Sequence, residues 1–108
     1  MPAEDVKRSI HQLLVDRILR GPGQATANQR VQAFENAELP EPLRGLIDKV
    51  ATRSAQVTDA DFAAASEAGF TDDQLFELVI CAAVGPSSRQ YEAGLAALAE
   101  ANADTELG

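Results

Sequence analysis

At 108 residues, with 45% hydrophobic and 24% charged side chains, the chain has the size and balance of one globular domain and is too apolar to stay disordered. A formal net charge of -8 repels nucleic acid and anionic membrane surfaces at long range, and no apolar run approaches the roughly 18 residues of a membrane span. A single cysteine excludes an internal disulfide and fits a reducing compartment; the N-terminal MPAEDVKRSI lacks the basic-then-apolar order of a signal peptide, so a cytoplasmic protein is expected.

The first helix is expected from about Pro2, with Glu4 and Asp5 complementing its dipole and Val6, Ile10, Leu13, Leu14 and Ile18 forming one apolar stripe. Gly21-Pro22-Gly23 breaks it. Thr26 and Gln29 then make a capping box for a short second helix through Val31 and Phe34, which is weakly apolar and expected to pack loosely. Proline suits a first helical position, so the third helix is placed from Pro42, with Leu43, Leu46, Ile47 and Val50 as its buried face; it fades across Ser54 to Val57.

Thr58 to Val84 is the most redundantly encoded stretch. Capping boxes Thr58/Asp61 and Thr71/Gln74 open two helices, Val57/Phe62 and Phe70/Leu75 stand at staple positions, and Gly69 supplies a left-handed stop between them. Such a central helical hairpin is expected to be the element on which the rest packs. Gly85-Pro86 reads as a hard stop, and Ser87 with Gln90 reads as a fourth capping box. A last helix follows, with Tyr91, Leu95 and Leu98 inward, and the polar tail from Asn102 to Gly108 is expected to fray. The fold class is all-α, with five to six short helices in one domain, residues 1–108, and no strand alternation anywhere.

From Leu43 onward the order of elements resembles the AhpD-like family, also called the carboxymuconolactone decarboxylase-like superfamily. The segments that carry the resemblance are LIDKVATRSAQV, AAASEAGFTDDQLFELVICAAVG with its EAGFTDDQLFEL core, and a closing Ala/Leu-rich helix with Arg89 near its start. It implies N-terminal helices over 1–38, a family-like helical core over 42–101 and a homo-oligomeric state. Active members carry Cys-x-x-Cys with a histidine four residues on. Those positions fall here on Ser54, Val57 and Asp61, and only Glu41 lies near the place of the family's relay glutamate. Thiol peroxidase chemistry needs a thiolate and a resolving thiol, which these residues do not supply. Decarboxylase members without the cysteines depend on a histidine near the position of Asp61.

Cys81 sits in the apolar run LVICAAV, late in its helix and one turn after Glu77, so it reads as a buried small hydrophobe. His11, the only histidine, reads as a partly exposed helix residue. Asp59, Asp61, Asp72 and Asp73 fall in first helical turns and read as caps rather than metal ligands, so neither a metal site nor a cofactor is expected. The hairpin has the outline of a DNA-binding helix-turn-helix, but Ser54 through Ser88 contains no Lys or Arg, and phosphate contacts supply most DNA affinity. The basic residues gather early, at Lys7, Arg8, Arg17, Arg20 and Arg30, an asymmetry that could pair subunits. The expectation is thus a non-catalytic AhpD-like domain acting in protein-protein interaction or oligomeric assembly. The alternative is an altered acid-base enzyme centred on Asp61, with Arg89 or Tyr91 as a nearby donor.

Overall fold

The computed structural model describes residues 3–37 and 39–107, with side chains described for 6–37 and 39–103. It holds α1 (Ala3–Arg20), α2 (Ala27–Phe34), α3 (Leu43–Thr52), α4 (Asp59–Glu67) and α5 (Asp72–Leu107), with one 3-10 turn at Ser54–Gln56 and no strand among the described residues. The fold is all-α. The expected start at Pro2 and the side chains of Glu4 and Asp5 lie outside the described residues.

Local chemistry sets most of the boundaries. Thr26 Oγ1 accepts from the Gln29 N-H at 3.0 Å while Gln29 Oε1 accepts from the Thr26 N-H at 3.1 Å. Thr71 and Gln74 repeat the exchange at 2.9 and 3.1 Å, and Asp61 reaches back to the Thr58 N-H at 2.9 Å. Each box satisfies donors that a helix start would otherwise leave unpaired. Gly69, at φ +105°, ends α4: its N-H bonds Ser66 O at 3.0 Å and the Phe70 N-H bonds Ala65 O at 3.3 Å, the paired closure of a Schellman turn. Pro42 caps α3, so that helix begins at Leu43, one residue later than expected.

The packing centre is α5, not the hairpin as a unit. Leu75, Leu78, Cys81 and Ala82 line one face of its first half, and against them are buried Leu43, Leu46 and Ile47 from α3, Ala33 from α2, Leu39, Ala65 and Leu19. The hairpin turn is present, yet α4 contributes only Ala65 to the interior. Its sequence, DADFAAASE, explains this: it offers little apolar volume, and Phe62 remains exposed. Among these helices α2 makes the most extensive contact with α5, contrary to the loose packing expected of it. Close approach by small residues substitutes for bulk there: Ala33 and Gly85 are both buried, and a Cβ on Gly85 would overlap the Phe34 carbonyl.

That crossing also overrides the expected stop. Pro86 lies inside α5, which continues to Leu107, and the Ser87 box does not form; Ser87 Oγ instead donates to Ala83 O at 3.3 Å. An interior proline costs about 3 kcal/mol through its missing N-H and its clash with the preceding turn. Burial of Ala82, Gly85 and Ser88 on a single face, Gly85 against Phe34 at the end of α2 and Ser88 against His11 of α1, holds the helix through the break. The continuous helix is about 54 Å long at 1.5 Å per residue, and it sets the 59 Å long axis of the molecule. Consequently the radius of gyration is 17.0 Å, against about 13 Å for a compact chain of this length. Tyr91 and Leu95 are half-buried, whereas Leu98 is exposed as the helix leaves the body.

Candidate functional site

Asp61 stands near the start of α4, and its carboxylate bridges two helices. It accepts from Lys49 Nζ on α3 at 2.9 and 3.1 Å, and from the Thr58 backbone N-H and hydroxyl at 2.9 and 3.2 Å. The Thr58 N-H, followed by Lys49, holds its carboxyl below the usual value of 3.8. A carboxylate so engaged is a helix cap and an interhelical clamp. Ser54 is exposed on the 3-10 turn, and Val57 leans on the core. Glu41 Oε2 accepts from the Gly45 N-H at 3.3 Å, supplying the side-chain cap that Pro42 cannot.

Arg89 and Tyr91 are engaged elsewhere, and the bonds they make are not to Asp61. Arg89 Nη1 donates to the Phe34 carbonyl at 2.9 Å, with its guanidinium carbon 6.0 Å from the Phe34 ring centre, so it ties α5 to the end of α2. Tyr91 lies against His11, ring centres 4.4 Å apart and planes tilted by 47°. His11 Nε2 is 2.9 Å from Ser88 Oγ, and these residues, with Gln12, Val15, Asp16, Phe34 and Glu92, line a 340 Å³ hollow between α1 and α5. Beside it, Arg8 pairs with Glu92 at 2.8 Å. The histidine thus has a partner invisible to local pattern, because Ser88 lies 77 residues away and neither residue belongs to a recognisable motif. The group docks α1 onto α5.

Two polar groups fix the α1–α2 connection. Arg30, buried, donates through Nη1 to Ile18 O at 3.2 Å and Gly21 O at 2.7 Å, capping the carbonyl end of α1. Glu77 accepts from the N-H groups of Gln24 and Ala25 at 2.7 to 3.0 Å, and a Cβ on Gly23 would collide with its carboxylate. Between them sits Cys81, fully buried, its thiol pushed from the ordinary 9.0 up to about 11 by burial. That is the environment of an inert thiol.

The most unusual surface is apolar. Along α1, Val6, Ile10, Leu13 and Leu14 are 46, 54, 69 and 57% exposed, while the opposite side, through His11, Val15, Ile18 and Leu19, meets the body. The stripe legible in the sequence therefore faces outward, apart from Ile18. Leu13, Leu14 and Ile10 flank a 520 Å³ depression rimmed by Arg17 and by Arg20, which pairs with Asp16 at 3.3 Å. A second apolar hollow, of 320 Å³, lies where α4 meets α5, lined by Phe62, Leu75, Phe76 and Val79 with Asp72 at its rim. Phe76 is 67% exposed.

Among the described residues no cluster of His, Cys, Asp or Glu is placed to hold a metal ion, and no helix is long and apolar enough to cross a membrane. Compared with known proteins, the chain matches no family model, no curated protein and no solved structure.

Proposed function

We propose that this chain is a non-catalytic AhpD-like helical domain that works by protein association, either with itself or with another protein. The observation that carries the reading is the outward stripe of α1. Burying a Val, Leu or Ile side chain is worth about 1.5–3 kcal/mol, so four such residues together hold a gain comparable with the roughly 4–15 kcal/mol that association costs. A monomer rarely leaves so aligned an apolar face in water without a use for it. Further support comes from the residues that replace the redox motif: an exposed serine, a valine on the core and an aspartate engaged as a clamp, with the one thiol buried.

Size-exclusion chromatography with light scattering tests the association. A mass above one chain of 11.5 kDa at high micromolar concentration is expected, and a strictly monomeric protein would count against self-association. Peroxide assays with a thiol reductant test the chemistry. No thiol-dependent turnover is expected, and turnover that disappears in Cys81→Ser would overturn the reading. If the protein proves monomeric, a pull-down with the purified chain, compared with a Leu13→Glu/Leu14→Glu variant, separates a protein partner bound through α1 from no partner at this face.

A further inference from the structure

We infer that the partner of the α1 stripe is a second copy of this chain, and that it docks in the acidic hollow where α4 meets α5, rather than on its own counterpart. The inference rests on the association reading above and adds which surface meets which. The chain offers two exposed apolar faces, and their rims carry opposite charge. Around the α1 stripe stand Arg17 and Arg20, with Lys7 near the start of the helix; Asp16 lines the same depression and pairs with Arg20 at 3.3 Å, so the rim is net basic through Arg17 and Lys7. Asp72 lines the hollow with Phe62, Phe76 and Val79, Asp59 and Asp73 lie three residues before Phe62 and Phe76 on their helices, and from Ser54 through Ser88 the chain contains no Lys or Arg.

Charge then selects among the three ways these faces can pair. Stripe on stripe gathers arginines and lysines around one seam, and hollow on hollow gathers aspartates; both place like charges around a desolvated contact. Stripe on hollow brings a basic rim to an acidic one while covering apolar surface on both copies, which favours encounter as well as register. Shape agrees. A row of aliphatic side chains on a helix is the natural filler for a groove between two helices, and Phe76, exposed beside that groove, has no covering side chain from α1 of its own chain among its hollow's lining. The exposed positions of both faces lie outside the interior cluster, so altering them leaves the fold's own packing intact.

Complementation by two variants tests the pairing. Leu13→Glu/Leu14→Glu blocks the stripe and Phe76→Glu blocks the hollow, and circular dichroism melts establish that each remains folded. In sedimentation velocity each variant alone should associate at least tenfold more weakly than wild type, whereas a 1:1 mixture should regain association, because the intact stripe of one meets the intact hollow of the other. A charge exchange provides an independent arm: Arg17→Glu and Asp72→Lys should each weaken association, and mixing these two variants should restore it. Two results would overturn the inference while leaving the association reading standing. One is a Phe76→Glu variant that self-associates like wild type while the stripe variant does not, which means stripe on stripe; the other is a mixture that gains nothing. Wild type that stays monomeric at all concentrations overturns the inference and self-association together, leaving only a different protein as partner.

Discussion

Helices α1 and α3 carry the same kind of signal and come to opposite ends. In α3, Leu43, Leu46 and Ile47 recur at helical spacing and are completely covered, with Val50 leaning on the same core. In α1, Val6, Ile10, Leu13 and Leu14 recur just as regularly and stand in water. Periodicity states that a face is fit for burial; it does not state what will bury it. What separates the two is the reverse side. The other side of α1 carries a second set of contacts: His11 to Ser88, Tyr91 tilted against His11 and Arg8 to Glu92 turn that side toward α5, while Arg30 of α2 holds its carbonyl end. On α3 the polar side carries only tethers, Asp48 accepting from Asn36 at 3.1 Å and Lys49 linking to Asp61 of α4, and these leave the apolar face turned to the core.

The largest effect should come from cutting into the covered stripe. Leu46→Ala should lower stability by about 2–5 kcal/mol, because a cavity remains where the side chain was enclosed, whereas Leu13→Ala should change the dilute protein by no more than about 0.5 kcal/mol. Denaturant melts at low concentration measure both, and equal losses would erase the distinction between the stripes. Next come two neighbouring positions on α5 with opposite signs. Pro86→Ala restores a backbone donor within a continuous helix and should stabilise by up to about 3 kcal/mol, while Gly85→Ala forces a methyl into the Phe34 carbonyl and should cost about 1–3 kcal/mol. A loss on Pro86→Ala would mean that the ring contributes more by packing than it removes by breaking the ladder.

Smaller, and confined to the α3–α4 contact, is the clamp at Asp61. Asp61→Ala should lower the melting temperature, and Lys49→Ala should lower it too, with the double variant losing less than the sum. Asp61→Glu should come closest to wild type, since glutamate can still reach the Thr58 N-H. Stability unchanged or raised in Asp61→Ala and Asp61→Asn alike would contradict the clamp and reopen an acid-base role. The same groups fix the acid response. Asp61, held low first by the Thr58 N-H, and Asp48, held low first by the Asn36 side chain, both lie below 3.8. The unfolded chain therefore takes up these protons first, so their stabilisation is present above that value and is lost as pH falls below it. At the other extreme, unfolding releases the Cys81 proton between 9.0 and about 11, so stability should decline as pH rises through that interval, and Cys81→Ser should remove the decline.

The parts legible in the sequence are those decided by neighbours a few residues apart. Thr26/Gln29 and Thr71/Gln74 form as expected, Gly69 stops α4, and the inner face of α3 is Leu43, Leu46 and Ile47. The misses were decided at long range. Gly85-Pro86 is a strong local stop, but α2 crosses there and the helix continues; the N-terminal part of the tail is likewise helical, with α5 running to Leu107. Helix α2 looked weak because alanine and glycine give no hydropathy signal for close approach, although close approach is what they permit. Asp61 was legible as a cap from Thr58 alone, but its link to Lys49 was not, since nothing local joins α3 to α4. Arg89 and Tyr91, named as donors near Asp61 in the acid-base alternative, are engaged instead with Phe34 and His11.

The most direct test of the central contrast places a cysteine in each stripe of a Cys81→Ser chain and follows alkylation as the protein is concentrated. Ile47→Cys should be protected at every concentration, and Gln56→Cys, on the exposed turn, should react rapidly at every concentration. Leu14→Cys should react rapidly when dilute and become protected at high micromolar concentration, as a second copy covers the stripe. Rapid labelling of Leu14→Cys at all concentrations would show that no second copy covers the face, and slow labelling even at high dilution would show that it is buried within the single chain after all.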